Sequence, residues 1–463
     1  MAKNKIQKIK SGFFDRSLSL TKVAVRSGAS LAANHIKNFW SEEQIKDQSL
    51  RKVLETQAHW LADELGRLKG SLMKVGQMLA LYGEHFFPEE IVKVLKTLNE
   101  DSPPLDWPAI EPIIRRRLKE DLRAQLEIET EALAAASLGQ VHRATIKASG
   151  EHICLKIQYP GVSQAIDNDV RTLRSMLSML RLIPSHKSGF DDVLKEVKSM
   201  LRQEVDYGRE LTATDQMREL LAARPGLIVP RTYPQFSGPK ILATSYEPGF
   251  GIDCSEVQSL SSERRSRLGR IFANLFLEEL FTLHIVQTDP HFGNYKIRIG
   301  ERADGEDDSI ILLDFGAVRK FSKVFVEHYR KMLVGALLGD DDMTIQAAIG
   351  IGFLSEDDSN ELYNCFLRIA YAAIEPWLGP DDPRLKKELF DAEHHYLWGQ
   401  SDLPKRVTSL AKEYAFTFRL RPPPREVLFL DRKIGGVFIA LHKLNARFNG
   451  WELVKKHLLT DLA

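Results

Sequence analysis

Three cysteines, Cys154, Cys254 and Cys365, are all that 463 residues contain. An odd number so widely separated excludes a disulfide framework and a paired C-x-x-C metal site, and it predicts a reducing compartment. Long apolar runs are missing too. The stretch from Ile271 to Val286 is interrupted by Glu278, Glu279 and His284, and that from Gly435 to Leu441 is short, whereas a membrane-spanning helix needs about 20 mostly apolar residues. No transmembrane helix is expected. Neither charge is in surplus: 64 Lys and Arg against 63 Asp and Glu leave a net +1, which removes the global electrostatic case for nucleic acid as a partner. No internal repeat or low-complexity tract is visible. With 43% hydrophobic residues, the chain has material for a sizeable core, and its length predicts about two to three domains or lobes.

Charge is uneven locally. Residues 1–40 form a basic arm with eight Lys and Arg against Asp15 alone. Phe13, Phe14 and Leu18 could give it an apolar side suited to anionic lipid headgroups, the alternative being a solvated arm. The lysines are not followed by the apolar core of a secretory signal. Residues 41–126 read as a helical extension, with Leu61, Leu65, Leu68, Leu72, Val75 and Leu79 on one face and a break at Asp101-Ser-Pro-Pro before a second helix, Pro108 to Leu126. Residues 127–248 read as a small α+β lobe with strands at Ser137 to Ile146, His152 to Gln158 and Lys240 to Tyr246. Residues 249–463 read as a mostly helical lobe with two strands, Tyr295 to Ile299 and Ile310 to Leu313, joined by a solvated acidic turn, Glu301 to Asp308.

The chemistry sits at strand ends. In Ala134-Ala-Ala-Ser-Leu-Gly-Gln-Val141 only the third glycine of a G-x-G-x-x-G-x-V phosphate loop survives, as Gly139. Ile153-Cys-Leu-Lys156 then places a lysine where V-A-I-K holds the α- and β-phosphates. Alone, Lys156 would read as a snorkelling surface side chain. Asp289-Pro-His-Phe-Gly-Asn294 repeats the D-x-x-x-x-N spacing in which Asp accepts a hydroxyl proton and Asn binds Mg²⁺, and Asp314-Phe-Gly316 follows an apolar strand. A hard cation bridging phosphates needs only one or two protein oxygen ligands, which Asn294 and Asp314 supply. All three motifs occur in kinase order.

Four further features resemble the UbiB/AarF family of atypical kinase-like proteins, tied to coenzyme Q and related isoprenoid-lipid metabolism. They are Lys74-Val-Gly-Gln77 (the KxGQ signature), the alanine-rich loop Ala134 to Gln140, Glu204-Val-Asp206 with Glu210, and Lys156-Ile-Gln-Tyr-Pro-Gly161. The resemblance covers about residues 50–330. It implies an α+β, two-lobed, atypical protein kinase-like fold with an N-terminal helical extension carrying KxGQ and a mostly helical C-lobe. It implies ATP or ADP and Mg²⁺ as cofactors. Lys156 would hold phosphates, with Glu210 as its helix partner, and Asp289 would be the catalytic aspartate. The nucleotide would meet Ala134, Ala135, Ala136, Ser137, Gly139, Gln140 and Val141, and its base would hang on a hinge, Ser245, Tyr246 and Glu247. Lys74 and Gln77 would reach the site from the extension, facing Glu204 or Asp206. On an ideal helix Glu204 and Asp206 lie about 200° apart, so they cannot serve one ion pair equally.

The sequence departs from the family around the catalytic loop, where Gln287-Thr-Asp-Pro-His-Phe-Gly-Asn294 stands for HADPHPGN, and Asp314-Phe-Gly runs almost at once into a helix near Ser322. With no long activation segment, a protein substrate has little to dock on. The expected function is an Mg-ATP-binding kinase or ATPase supporting isoprenoid quinone or related membrane-lipid metabolism. A nucleotide-binding scaffold without turnover and a protein kinase acting in trans are the alternatives. The expected location is cytoplasmic with peripheral membrane contact, and the candidate partners beyond nucleotide are an isoprenoid or quinone-like lipid and an anionic membrane surface.

Overall fold

A computed structural model describes residues 74, 75, 78, 104–136, 138–179, 190–418 and 424–459. The basic arm, most of the leucine seam, Gln77 and Ser137 lie outside the described residues. The chain divides into two compact units, one holding the described residues up to Thr212 with Arg231–Tyr246, the other Ala213–Pro230 with Glu247 onward.

In the first unit, α1 (Trp107–Arg117) takes Pro108 in its first turn, buries Ile110 and Ile114, and ends on Arg115, Arg116 and Arg117. Proline suits a helix start and cations suit the negative end of the helix dipole. The helix expected from Pro108 to Leu126 is divided: Leu118 is extended (φ −99°, ψ 125°), and a short α2 (Glu120–Ala124) follows. Next come β1 (Leu126–Ala135), β2 (Gly139–Ile146) and β3 (His152–Gln158); β4 (Leu227–Ile228) belongs to the second unit, and β5 (Ile241–Ser245) completes an antiparallel sheet ordered β1-β2-β3-β5. Strand β3 alternates as a half-buried strand should, with Ile153, Leu155 and Ile157 fully buried. Strand β1 is additional to the three expected, and its pairing with β2 shifts register between Ile128 and Ala134.

Helices α3 (Val162–Met179), α4 (Phe190–Glu204) and α5 (Tyr207–Leu221) follow the strands. Helix α4 buries Phe190, Val193, Leu194, Val197, Met200 and Leu201, one stripe at helical spacing. It ends at Glu204, so the ideal helix assumed for Glu204, Asp206 and Glu210 is broken. Asp206 Oδ1 instead accepts the Arg209 N–H at 3.1 Å and caps α5. Gln158, 1% exposed, fastens the break by donating to the Val205 carbonyl at 2.9 Å.

The second unit carries α6 (Ser255–Gln258), α7 (Ser262–Phe281), β6 (Ile285–Gln287), β7 (Tyr295–Arg298), β8 (Ser309–Leu312) and β9 (Val318–Lys320). Its sheet is ordered β4-β8-β7, and β6 pairs separately with β9. Then come α8 (Lys323–Leu338), α9 (Asp341–Ile351), α10 (Asn360–Ile374), β10 (Tyr396–Leu397), α11 (Leu403–Phe418), α12 (Arg425–Lys443), β11 (Arg447–Phe448) and α13 (Gly450–Leu458). Ser322, Asp340 and Ser359 cap α8, α9 and α10 through their side-chain oxygens, the preferred residue types at that position. Among the described residues, no helix is long and apolar enough to cross a membrane.

The turn between β7 and β8 corrects one expectation. Glu301 to Asp308 is not simply solvated, because Asp308 is fully buried. It takes two bonds from the Arg264 guanidinium, at 2.5 and 2.8 Å, and the Gly300 N–H at 2.8 Å. Removing one partner of such a pair strands the other without water. Asp308→Ala is therefore expected to destabilise the chain by about 3 kcal/mol or more, against less than about 0.5 kcal/mol for exposed Glu306→Ala, in urea or thermal unfolding. Equal stability of the two variants would refute the anchor.

Candidate functional site

The first unit brings Lys156 and Glu210 together. Lys156 pairs across the sheet with Val141 and with Leu242, on the opposite strand face from buried Leu155 and Ile157. Its Nζ lies 2.7 Å from Glu210 Oε1, the lysine side chain 20% and the glutamate 2% exposed. It also sits 5.4 Å from the centre of the Tyr207 ring. Glu210 occupies the first turn of α5, so the helix break that makes Asp206 a cap also aims Glu210. Lys74 takes the remaining acid: its Nζ lies 2.8 Å from Glu204 Oε1. The three acids thus have separate roles, and the partner of Lys74 is Glu204.

The alanine loop is the tip of the β1–β2 hairpin. Ala134 faces Val141 and Ala135 faces Gln140, and the Ala136 N–H closes the turn on the Gly139 carbonyl at 2.8 Å. Gly139 answers to packing, since a Cβ there would stand 2.5 Å from the Ile157 carbonyl oxygen and 2.9 Å from the Tyr207 hydroxyl. The Gln140 side chain is buried and engaged, accepting from Leu105 N–H at 2.8 Å and donating to the Leu105 carbonyl at 3.2 Å. It also lies 2.8 Å from His142 Nε2, whose pKa burial pulls below the ordinary imidazole value. Only the backbone of Gln140 is left for a ligand. In the expected hinge, the Ser245 N–H donates to the Arg231 carbonyl at 2.7 Å and the Tyr246 N–H to the His152 carbonyl at 3.0 Å, the Ser245 hydroxyl oxygen accepts the Arg231 N–H at 2.9 Å, and Glu247 pairs with Arg298 in the second unit.

The second unit gathers Asp289, Asn294 and Asp314. Asn294 ends a short 3₁₀ turn, Phe292–Asn294, and its carbonyl accepts the Leu313 N–H at 2.9 Å. Because Tyr295 pairs with Leu312, that bond sets Asn294 beside the residue preceding Asp314. The Asn294 amide nitrogen donates to Asp289 Oδ2 and to the Asp289 carbonyl, both at 3.2 Å. Asp314 Oδ1 accepts the Gly316 N–H at 2.9 Å, and Thr288 ties the two loops through the Ala317 carbonyl, its hydroxyl at 2.8 Å. Where the family loop has a second proline this chain has Phe292, and His291 Nδ1 accepts the Gly293 N–H at 3.0 Å to close the turn.

Two residues of α12 were not foreseen. Arg432 donates to Asp289 Oδ1 at 2.6 Å. Lys433 pairs with Glu279 at 2.9 Å with both side chains almost wholly buried; burial opposes its charge, yet Glu279 holds its pKa above the ordinary lysine value. The helix comes close because Gly436 has no side chain: a Cβ there would collide with Pro290. A glycine pair and two adjacent cations inside an apolar helix were the available signal, with nothing local to connect them to a loop 143 residues away.

An atypical kinase COQ8, mitochondrial, from Saccharomyces cerevisiae is 26% identical over 94% of this chain and 81% of its own length. Its namesake from Schizosaccharomyces pombe is 26% identical over 90% of the chain, which spans 65% of that relative. The fold is shared with the solved Rv3197–erythromycin complex from Mycobacterium tuberculosis at a TM-score of 0.58, 22% identity, 89% coverage of this chain and 98% of that one. The model of the ABC1 atypical kinase-like domain matches residues 97–348, more than half of the sequence. The chain belongs to the ABC1 atypical kinase-like family, the UbiB/AarF group that its motifs resemble.

Proposed function

We propose that the chain binds Mg²⁺ with ATP and transfers or hydrolyses the terminal phosphate, in support of isoprenoid quinone or related membrane-lipid metabolism. The observation that carries this reading is the Lys156–Glu210 ion pair at 2.7 Å: a partly exposed ammonium, oriented by a buried carboxylate, is suited to hold phosphate oxygens in one place. The donor chemistry in the second unit fits a hard cation. The Asn294 amide nitrogen is spent on Asp289, leaving its oxygen, with the Asp314 carboxylate, as the ligands that Mg²⁺ prefers. Mg²⁺ held there would neutralise phosphate charge. Lys156 would hold the phosphates, and Asp289 would orient the attacking hydroxyl or water and take its proton. The lipid context rests on the motif resemblance and on relatives named COQ8. The short path from Asp314 through β9 to α8 leaves little to dock a protein substrate and so disfavours action on proteins in trans.

A second reading, nucleotide binding without turnover, is favoured by one observation. Asp289 already accepts from both Arg432 and Asn294. Phosphate release measured with and without quinone-like lipid or anionic vesicles separates the two. Mg-ATP binding with no release under either condition, and no labelled lipid, would leave the second reading standing.

Asp314→Asn should abolish Mg²⁺-dependent stabilisation by ATP, worth about 2.7 kcal/mol at a nucleotide concentration near 100 times Kd, while leaving the ligand-free melting temperature near wild type. Undiminished Mg-ATP thermal shifts would remove Asp314 as a ligand.

The Lys74–Glu204 pair, 15% and 28% exposed, is worth only ~0 to 1 kcal/mol to stability. Lys74→Ala and Glu204→Gln should accordingly fold normally. If the pair regulates the site, both should alter the ATP-over-ADP preference in the same direction; wild-type preference in both would end that role.

A further inference from the structure

Four side chains of the second unit form a continuous polar chain that phosphate chemistry does not call for. Lys433 Nζ lies 2.9 Å from Glu279 Oε2, the two side chains 2% and 1% exposed. It donates to the Tyr295 hydroxyl at 3.4 Å, and that hydroxyl donates to Gln287 Oε1 at 3.1 Å. The Gln287 amide nitrogen donates in turn to the backbone carbonyl of Asp314 at 3.3 Å. Glu279 also accepts the backbone N–H of Gln287. The chain therefore starts on α7 and α12, passes through β7 and β6, and ends on Asp314. Tyr295 directly follows Asn294, and Gln287 stands two residues before Asp289.

Stability does not account for this arrangement. A buried ion pair exchanged for apolar side chains of similar volume is often as stable or more so. Leucine or methionine at 279 and 433 could hold the same helices together. Apolar packing has no direction, however, whereas a hydrogen bond fixes both distance and line of approach. A carbonyl held by a hydrogen bond cannot turn without breaking it, and each link here is anchored by the next until the chain reaches a fully desolvated charge pair.

We propose that Lys433 is a positioning residue: through Tyr295 and Gln287 it fixes the backbone at Asp314 and thereby the orientation in which the Asp314 carboxylate meets a divalent cation. This role rests on the reading of Asp314 as a metal ligand. It differs from that reading in naming a group remote from the cation that sets its affinity.

Two variants of the full chain test it. Tyr295→Phe removes only the bridging hydroxyl. Glu279→Leu combined with Lys433→Met removes both charges together, so that neither is left buried and alone. Mg²⁺ or Mn²⁺ is titrated against a fluorescent ATP analogue, and amide hydrogen exchange of residues 309–320 is followed in the metal-free protein. Both variants are expected to raise the half-saturating metal concentration by about 10-fold, the scale of lost outer contacts at metal sites. Melting temperature and analogue binding without metal should stay at wild-type values, while exchange across 309–320 accelerates. Unchanged metal dependence and unchanged exchange in folded Tyr295→Phe would overturn the positioning role and leave the metal site standing. Wild-type protein that binds the analogue without regard to metal would overturn the metal reading, and this role with it.

Discussion

Glu210 is almost entirely removed from water, and the Lys156 ammonium at 2.7 Å is what makes that placement tolerable. A carboxylate taken out of solvent needs a cation and hydrogen bonds beside it, or it must give up its charge. The same constraint recurs at three other buried acids. Glu279 has Lys433, Asp308 has Arg264, and Glu375 has Arg406 and Lys386. In each of these cases the partner lies on a different segment, so these acids also tie two segments together. Apolar packing can bring such segments together, and the ion pairs give their contacts a fixed direction and distance.

Much of the candidate site was legible because its residues lie at the ends of strands whose pattern is local. Lys156 follows an alternating run that the sheet buries on one face, and Asp314 follows an apolar strand that pairs as its composition suggests. The acids of α4 and α5 were harder. Composition favours one long helix through Glu204 and Glu210, and the break at Val205 is fastened by Gln158, a residue 47 positions earlier. No helical periodicity reports a hydrogen bond of that range. Strand β1 mixes two signals: Leu-Glu-Ile-Glu-Thr-Glu alternates as a strand does, whereas the Ala-Leu-Ala-Ala that follows favours helix, and pairing with β2 decides between them.

Asp308 shows the opposite error, in which a surface-like composition conceals an anchor. Five acids in eight residues read as a solvated turn, and most of them are exposed. One is not, because Arg264 on α7 meets it. Charge density predicts average exposure and says nothing about which member of a cluster a distant cation selects. The contribution of α12 was invisible on the same grounds: Arg432 and Lys433 gain meaning only beside Asp289 and Glu279.

The close fit of Gly436 against Pro290 bears on how the molecule is assembled as well as on how it is held. The loop carrying Asp289 and the helix carrying Arg432 are separated by 143 positions, which at about 5–20 residues per second is roughly 7 to 30 s of synthesis. During that interval the loop has its own strands but neither the guanidinium that engages Asp289 nor the glycine surface on which Pro290 rests. Long-range contacts of this kind form late because the intervening chain must first be closed into a loop. The loop of a nascent chain therefore waits, incomplete, for a helix that has yet to be synthesised.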